Sequence, residues 1–398
     1  MTSPASAAPP ARSPRGSVFS NRRFRSLAVQ TLALAAVVLG IAWIASNTIE
    51  NLRRANIASG FDFLWRRSGF DISERLIAFT SDDTIARAFV VGVLNTLLVA
   101  VLGIVLATVI GILVGTARLS ANWLLARLAT VYVETLRNIP LLLLLLFWYR
   151  AVLSVLPSPR QGIALPFGAN LSNRGLIVPA PIFGSQFGLT VAAFVLAAVV
   201  TWLLARWASR RRIESGAEFP TVRVGLALLV LGPALVFAVT GAPLTFSVPE
   251  LQGFNFVGGA ALKPELVALL IGLSAYTASF IAEVVRAGIL SVSRGQTEAA
   301  LALGLRPPQV FRRVVFPQAI RVIVPPLTNQ YLNLTKNSTL AVAIGYPDFV
   351  AVFSGSVMQR TGQAVEVIFI TMMFYLAVSL ATSLAMNWFN RRVAIKER

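Results

Sequence analysis

The chain has 398 residues, of which 56% are hydrophobic and only 13% are charged. Soluble domains carry about 25% charged residues, so this composition indicates that lipid solvates most of the chain. The remaining charge is one-sided, with 35 basic and 16 acidic residues, and the chain has neither cysteine nor histidine. Disulfides, thiol chemistry and imidazole-based catalytic or metal sites are therefore excluded.

The lysines exclude a further class of site. Lys263, Lys336 and Lys396 are the only three, and none follows a glycine, so the chain lacks a lysine-containing phosphate-binding loop. The arginines lie in short clusters between apolar runs, whereas a nucleic-acid-binding protein gathers its basic residues on one surface. We therefore expect contact with membrane lipid and none with nucleic acid.

The N-terminal region divides into a basic segment and a first apolar run. Residues 1–26 are rich in Pro, Ala, Ser and Arg, a composition typical of disorder. Residues 26–49 form an uncharged run, and this run is longer than the apolar core of a cleaved signal peptide. We predict a disordered cytoplasmic segment at 1–26 and an extra first membrane span with its following loop at 27–87.

The rest of the chain alternates apolar runs with short polar links, which predicts an all-α membrane protein with about eight transmembrane helices. A continuous membrane domain is expected over 88–389, followed by a basic cytoplasmic tail at 390–398. Charged pairs three residues apart, Glu134 with Arg137 and Glu283 with Arg286, predict ion pairs within helices. The seven further spans are predicted at 88–117, 123–150, 186–206, 222–241, 265–290, 320–344 and 364–389.

Basic residues also predict the orientation of the spans. If both termini are cytoplasmic, the inner segments carry 17 Lys and Arg residues and the outer segments carry 10. The excess of basic residues inside favours this orientation. Among the outer segments, 157–185 contains five prolines and predicts an irregular loop, and 61–75 is mildly amphipathic and predicts a segment along the membrane surface.

The most informative segment lies at 291–318 and reads SVSRGQTEAALALGLRPPQVFRRVVFPQ. A first helix carrying Glu298, Ala299 and Ala300 should end at Gly304, which can adopt a left-handed backbone conformation. Pro307 and Pro308 suit the first turn of a second short helix, and Pro317 is expected to end the unit. Two interpretations follow from the residues alone: an interfacial helix pair that meets lipid headgroups, or a docking site for a partner protein.

The spacing of this segment resembles the EAA loop of bacterial ABC importer permeases. Glu-Ala-Ala at 298–300, Gly304 and Pro317 match that loop in register, while Val314 and Phe316 replace the usual Ile and Leu. The resemblance implies the type I importer permease fold, in which this loop is the coupling helix that sits in a cleft of the ATPase subunit. It assigns ATP and Mg to that partner and implies no cofactor, metal or catalytic residue in this chain.

Neighbouring segments narrow the resemblance to permeases for polar amino acids. They are 117–149 (ARLSANWLLARLATVYVETLRNIPLLLLLLFWY), 274–305 (SAYTASFIAEVVRAGILSVSRGQTEAALALGL) and 316–349 (FPQAIRVIVPPLTNQYLNLTKNSTLAVAIGYPDF). The extra first span and the long loops resemble the larger permeases of general L-amino-acid systems. That likeness implies a bacterial inner-membrane protein, a second and non-identical permease subunit, two ATP-binding subunits and a periplasmic amino-acid-binding protein.

Polar residues inside predicted spans are candidates for the substrate pathway, because each is costly in lipid without a partner. The seventh span carries Asn333, Lys336, Asn337 and Ser338, and the second carries Asn95 and Thr96. Amides, hydroxyls and one cation could meet both charged groups of an amino acid, although hydrogen bonding between helices is the alternative. Pro325 and Pro326 predict a break or kink in the seventh span.

Three other classes compete with the importer interpretation. An ion-coupled secondary transporter would show inverted repeats and acidic residues at the membrane midplane, and neither is evident. A membrane-embedded enzyme would need a nucleophile with a base, or a metal cluster. A structural scaffold would not need the polar residues of the seventh span.

Overall fold

The computed structural model describes residues 22–54, 59–217, 219–253 and 255–393. Helices dominate this part of the chain, which confirms the predicted all-α membrane class. Most of the expected disordered segment 1–26, and residues 394–398 of the expected tail, lie outside the described residues. The helices are α1 (Arg22–Arg54), α2 (Ile85–Ala117), α3 (Trp123–Asn138), α4 (Leu141–Val155), α5 (Phe187–Ser215), α6 (Thr221–Val239), α7 (Pro264–Leu290), α8 (Arg294–Ala302), α9 (Pro307–Val310), α10 (Phe316–Asn337), α11 (Met358–Thr361) and α12 (Ala364–Val393).

The number of candidate spans is smaller than the eight expected. Within the described ranges, six helices are long and apolar enough to cross a membrane, or seven if the bent pair α3 and α4 counts as one span. The predicted span 123–150 is this pair, which bends by 109° between Asn138 and Leu141. Pro140 lies at the bend and cannot donate a helical hydrogen bond. The predicted span 320–344 corresponds to α10. This helix is not among the six candidate spans, because its charged and amide residues make it too polar.

The centre of the molecule is the contact between α2 and α7, where small residues let the two backbones approach closely. A Cβ atom on Gly115 would lie 2.7 Å from the carbonyl oxygen of Ala282. Membrane helices reach such distances only through small residues. Leu145 of α4 and Leu334 of α10 are fully buried in the same cluster. The main core therefore joins α2, α4, α7 and α10.

A second core joins the segment before α2 to the segment before α12. Phe63, Ile72 and Phe79 are buried there against Phe349 and Phe353. Within the segment 61–75, Phe63 and Ile72 turn inward, whereas Phe61 and Trp65 are exposed. The position of this segment along the membrane surface stays a prediction.

Short strands occupy the two long loops and pair with one another. They are β1 (Ile163–Ala164), β2 (Asn170–Ser172), β3 (Gly175–Val178), β4 (Ala180–Phe183), β5 (Leu244–Ser247), β6 (Glu250–Gln252), β7 (Asn255–Val257) and β8 (Ala260–Leu262). A four-stranded antiparallel sheet has the order β1-β2-β3-β8, while β4 pairs with β5 and β6 with β7. The prediction of an irregular loop at 157–185 is therefore wrong. We call these strands the β cap; it lies at the end of α7 opposite to α8 and α9.

Helices α5 and α6 form a hairpin that leaves the β cap between β4 and β5. The two helices pack chiefly against each other, and their long apolar side chains are mostly exposed. Gly216 ends α5 in the left-handed conformation with φ 68°. Helix α1 is likewise exposed over its apolar part, residues 25–51. These three helices are apolar, which is the character of helices covered by lipid or by another membrane protein.

Candidate functional site

The segment 291–315 folds as two short helices at the end of the bundle opposite to the β cap. Helix α8 ends at Ala302, and Gly304 follows with φ 79°. Because no neighbouring atom lies within 4 Å of a Cβ built on Gly304, the backbone conformation alone accounts for the glycine. Pro307 and Pro308 begin α9. The helix–glycine–helix arrangement predicted from the sequence is confirmed.

The three residues of the Glu-Ala-Ala motif face different surroundings. Glu298 and Ala299 are exposed on α8, whereas Ala300 is 5% exposed and packs against Val310 and Val315. The small side chain of Ala300 therefore lets α8 pack on the following turn. The exposed surface of the motif therefore consists of Glu298 and Ala299.

Pro317 does not end the unit, which corrects the sequence prediction. Helix α9 continues through a π-helical turn at Phe311–Val315 into α10, and Pro317 lies in the first turn of α10. Proline has no N–H to donate to the preceding turn, and a π turn is one way in which a helix accommodates such a loss. The two-helix segment is therefore connected to α10 by uninterrupted helix.

Close packing also connects this segment to α7. A Cβ atom on Gly288 would lie 2.3 Å from Ile323 Cγ1 and 3.4 Å from the carbonyl oxygen of Ala319. Helices α7 and α10 thus touch within the last turn of α7, just before the two-helix segment begins. A displacement of α8 would have to move both helices, since packed interiors resist continuous deformation.

Ion pairs lie on the same side of the bundle. Arg286 Nη2 is 2.6 Å from Glu283 Oε1, which confirms the predicted pair, and Arg118 at the end of α2 pairs with the same carboxylate. The other predicted pair is not formed: Arg137 lies over the ring of Phe280 at 5.0 Å. The contribution of Arg118 was missed, because its partner is 165 residues away.

The polar residues of α10 divide into two groups. Asn333 and Lys336 are exposed and Asn337 is half-buried, so they lie along one accessible face of the helix. Ser338 is fully buried and donates to the carbonyl oxygen of Thr335 at 2.7 Å. Helix α10 continues through Pro325 and Pro326, so the helix is not broken there, and the alternative of a kink stays a prediction. The accessible face remains the candidate pathway surface.

Asn95 and Thr96 do not lie on that face. Asn95 Nδ2 donates to the carbonyl oxygens of Glu74 and Pro347 at 2.8 and 2.9 Å. The hydroxyl of Thr96 accepts a hydrogen bond from the backbone N–H of Phe349 at 2.9 Å. Both side chains are buried and hold two loops to α2. The structure therefore supports the alternative of internal hydrogen bonding for this pair.

The amino-acid sequence matches a known class of membrane protein. Residues 219–395 match the family described as binding-protein-dependent transport system inner membrane component. Over 376 residues the chain is 53% identical to the general L-amino acid transport system permease protein AapQ of Rhizobium johnstonii, and the alignment covers 94% of each chain. The chain belongs to this family of transport permeases.

Two further relatives agree with this membership. The permease is 50% identical to the putative amino-acid ABC transporter permease protein YhdX of Escherichia coli, over 96% of this chain and 97% of that protein. It is 41% identical to the glutamate/glutamine/aspartate/asparagine transport system permease protein BztB of Rhodobacter capsulatus, over 94% and 95%. The resemblance stated from the sequence is confirmed, and the chain is a transport subunit and not an enzyme.

Proposed function

We propose that this permease forms half of the membrane pore of an ATP-driven importer for general and polar L-amino acids. The observation that carries the proposal is the exposed Glu298 on a two-helix segment that joins α7 to α10. The names of the relatives supply the substrate class. The partners would be a second, non-identical permease, two ATP-binding subunits and a periplasmic amino-acid-binding protein.

Coupling would operate through the two-helix segment. Glu298 and Ala299 present a carboxylate beside a small residue, and a carboxylate forms strong charge-assisted hydrogen bonds with basic groups of a partner. Closure of the ATP-bound partner subunits would displace α8. The contact of Gly288 with Ile323 would then pass that displacement to α7 and α10 together. ATP and Mg belong to the partner in this scheme.

The substrate would pass along the accessible face of α10. Asn333, Lys336 and Asn337 offer amides and one cation on that face. A face that is open in one subunit becomes a pore lining when a second permease lies opposite. The family description places the permease in the inner membrane. The excess of basic residues supports cytoplasmic termini and a periplasmic β cap.

The test is co-purification and uptake with a matched pair of variants. Glu298→Lys reverses the exposed charge, and Gln296→Lys makes the same addition at another exposed position of α8. We expect the wild type and Gln296→Lys to retain the ATPase and to accumulate labelled L-glutamine in proteoliposomes that contain ATP and the binding protein. Glu298→Lys should lose the ATPase and uptake together.

Two results would contradict the proposal. One is full ATPase retention and full uptake by Glu298→Lys. The other is amino acid uptake by the permease without an ATPase, driven by an ion gradient, which would favour a secondary transporter.

A further inference from the structure

The α5–α6 hairpin ends in a strongly basic segment at residues 206–223, which we call the basic tip. The segment reads RWASRRRIESGAEFPTVR and contains five arginines and two glutamates, a surplus of three positive charges. Its arginines are exposed, and they are Arg206, Arg210, Arg211, Arg212 and Arg223. The basic tip therefore presents its positive charge on the surface of the protein.

Helix α5 is longer than a bilayer crossing requires, and its excess length forms much of the basic tip. Its 29 residues span about 44 Å, whereas the hydrocarbon core of a bilayer is about 30 Å thick. A Cβ on Gly225 of α6 would lie 2.7 Å from Thr201 Cγ2, so these two residues lie at the same level of the hairpin. By this register, residues 206–215 of α5 project beyond the start of α6 by about 15 Å.

Two tryptophans place this projection at the membrane surface. Trp202 and Trp207 are exposed, and indole rings are enriched at membrane–water interfaces. The Arg206 guanidinium lies over the Trp202 ring at 3.9 Å, and that of Arg211 lies over the Trp207 ring at 5.2 Å. Stacking uses the face of a guanidinium and leaves the N–H groups in its plane available to an acceptor. The basic tip therefore offers hydrogen-bond donors at the level of the lipid headgroups.

The topology places the basic tip on the side of the bundle away from the β cap. Helix α5 leaves the cap at β4 and α6 returns to it at β5, and these two strands are paired. Helix α7 also starts at the β cap and ends at the two-helix segment. The basic tip and the two-helix segment therefore face the same side of the membrane.

We propose that the basic tip binds the phosphate groups of anionic phospholipids in the adjacent leaflet. Arginine binds phosphate oxygens through two parallel N–H groups, and clusters of basic residues beside a membrane span attract anionic lipid. A zwitterionic lipid carries the same phosphate but adds an ammonium group, which the arginines repel. Lipid is favoured over a protein partner because the apolar faces of α5 and α6 are exposed up to the tryptophans that precede the arginines. The inference gives the hairpin a role of its own, beyond transport.

Lipid retention tests the proposal with the purified transporter complex. The complex is assembled in nanodiscs that contain equal amounts of dioleoylphosphatidylglycerol and dioleoylphosphatidylcholine, so that only the headgroups differ. It is then transferred to mild detergent and washed, and the retained lipids are quantified by mass spectrometry. The measured quantity is the ratio of retained phosphatidylglycerol to retained phosphatidylcholine.

Two double variants make the test specific to the basic tip. Arg210→Gln with Arg211→Gln removes two of its exposed charges. Arg150→Gln with Arg174→Gln removes two exposed arginines near the β cap, and neither has an ion-pair partner among the described residues. All four side chains are exposed, so the substitutions leave the packing of the core intact.

We expect the wild type and the β-cap variant to retain phosphatidylglycerol over phosphatidylcholine by roughly threefold or more. The ratio should fall by about half or more in the basic-tip variant, and in the wild type when about 0.5 M NaCl screens the charges. An unchanged ratio in the basic-tip variant, or an equal fall in the β-cap variant, would overturn the proposal. Loss of the ATPase from the basic-tip variant at an unchanged lipid ratio would also overturn it, in favour of a protein contact. The measurement involves no amino acid substrate, so its failure would leave the proposed function standing.

Discussion

The core around α2 and α7 differs from the α5–α6 hairpin in how closely its helix backbones approach each other and in what covers the helices. In the core, Gly115 lies against the backbone of Ala282, and the cluster continues into α4 and α10. In the hairpin, a Cβ on Gly225 would lie 2.7 Å from the side-chain Cγ2 of Thr201, and one on Gly232 would meet its nearest neighbour, Ala197, at 3.9 Å. The core contact sets a glycine against a main-chain oxygen, whereas the hairpin contacts involve side-chain atoms, and the hairpin depends on its own two helices and on what surrounds it.

The largest expected difference in stability comes from adding one methyl group to the core and, as a comparison, one to the α5–α6 hairpin. Gly115→Ala places a Cβ at 2.7 Å from the carbonyl oxygen of Ala282, and overpacking of this kind costs about 1–3 kcal/mol. Gly232→Ala makes the same change at ordinary van der Waals distance. Both gain the same helix propensity, so the difference isolates packing. We expect the thermal unfolding midpoint in detergent to fall for Gly115→Ala and not for Gly232→Ala; equal midpoints would contradict the account.

A smaller difference in stability is expected when one arginine is removed from the core or from the hairpin. Arg118→Gln removes a guanidinium that is 13% exposed from its pair with Glu283 and should destabilise by about 2 kcal/mol, as for a hydrogen bond to a charged group. Arg206→Gln in α5 removes a cation that lies over the Trp202 ring at 3.9 Å. An exposed contact of this kind contributes about 0.5–1 kcal/mol. Thermal unfolding of the two variants should rank Arg118→Gln as the less stable, and the reverse order would contradict this comparison.

The pH dependence of stability supplies a third test, in the segment before α2. The pKa of Glu74 is raised from 4.5 to about 7, chiefly by burial, with Lys263 lowering it and Glu265 raising it by smaller amounts. The folded state therefore binds more protons than the unfolded state between pH 4.5 and 7, so Glu74 makes stability fall as pH rises through this window. At pH 8 we expect Glu74→Gln to be more stable than the wild type by about 1 kcal/mol, a value reduced for partial exposure.

The same pair of proteins should show little difference at pH 5, where Glu74 is largely protonated when folded. The measurement is the thermal midpoint at both pH values. A constant difference between wild type and variant across this range would show that ionisation of Glu74 is not involved.

The smallest effect is expected from removing the hairpin altogether. Phe183 pairs with Leu244 where β4 and β5 meet, and Gly184 N donates to the carbonyl oxygen of Pro243 at 3.0 Å. Replacing residues 185–242 by Asn-Gly, a sequence that favours a two-residue hairpin turn, should close this end of the β cap. Because the replacement removes two spans, α5 and α6, the later helices keep their orientation across the membrane. We expect the thermal midpoint of the shortened chain to remain within about 3 °C of the wild type, a shift of about 1 kcal/mol.

Local sequence patterns predicted the two-helix segment well, whereas contacts between residues far apart in the sequence were missed. The spacing of Glu298, Gly304 and Pro307 gave helix, turn and helix because each signal acts within a few residues. The Glu283–Arg286 pair followed from helix geometry in the same way. No local signal indicated that Ala300 faces inward, since that depends on where Val310 and Val315 return.

The β cap illustrates why longer-range structure could not be predicted. Leu176 of β3 pairs with Leu262 of β8, 86 residues later, and the register depends on both strands. Proline and glycine in 157–185 indicated only turns, because strands of two to four residues carry too little periodicity.

The central claim is that the core and its two-helix segment carry out transport, while the α5–α6 hairpin is added to them. The most direct measurement is ATP-driven uptake of labelled L-glutamine by the complex that contains the chain with residues 185–242 replaced by Asn-Gly. The account predicts ATPase association and an uptake rate within about threefold of the wild type, a change of less than about 1 kcal/mol in the activation barrier. Loss of uptake by a shortened chain that is folded and still bound to its ATPase would contradict the claim.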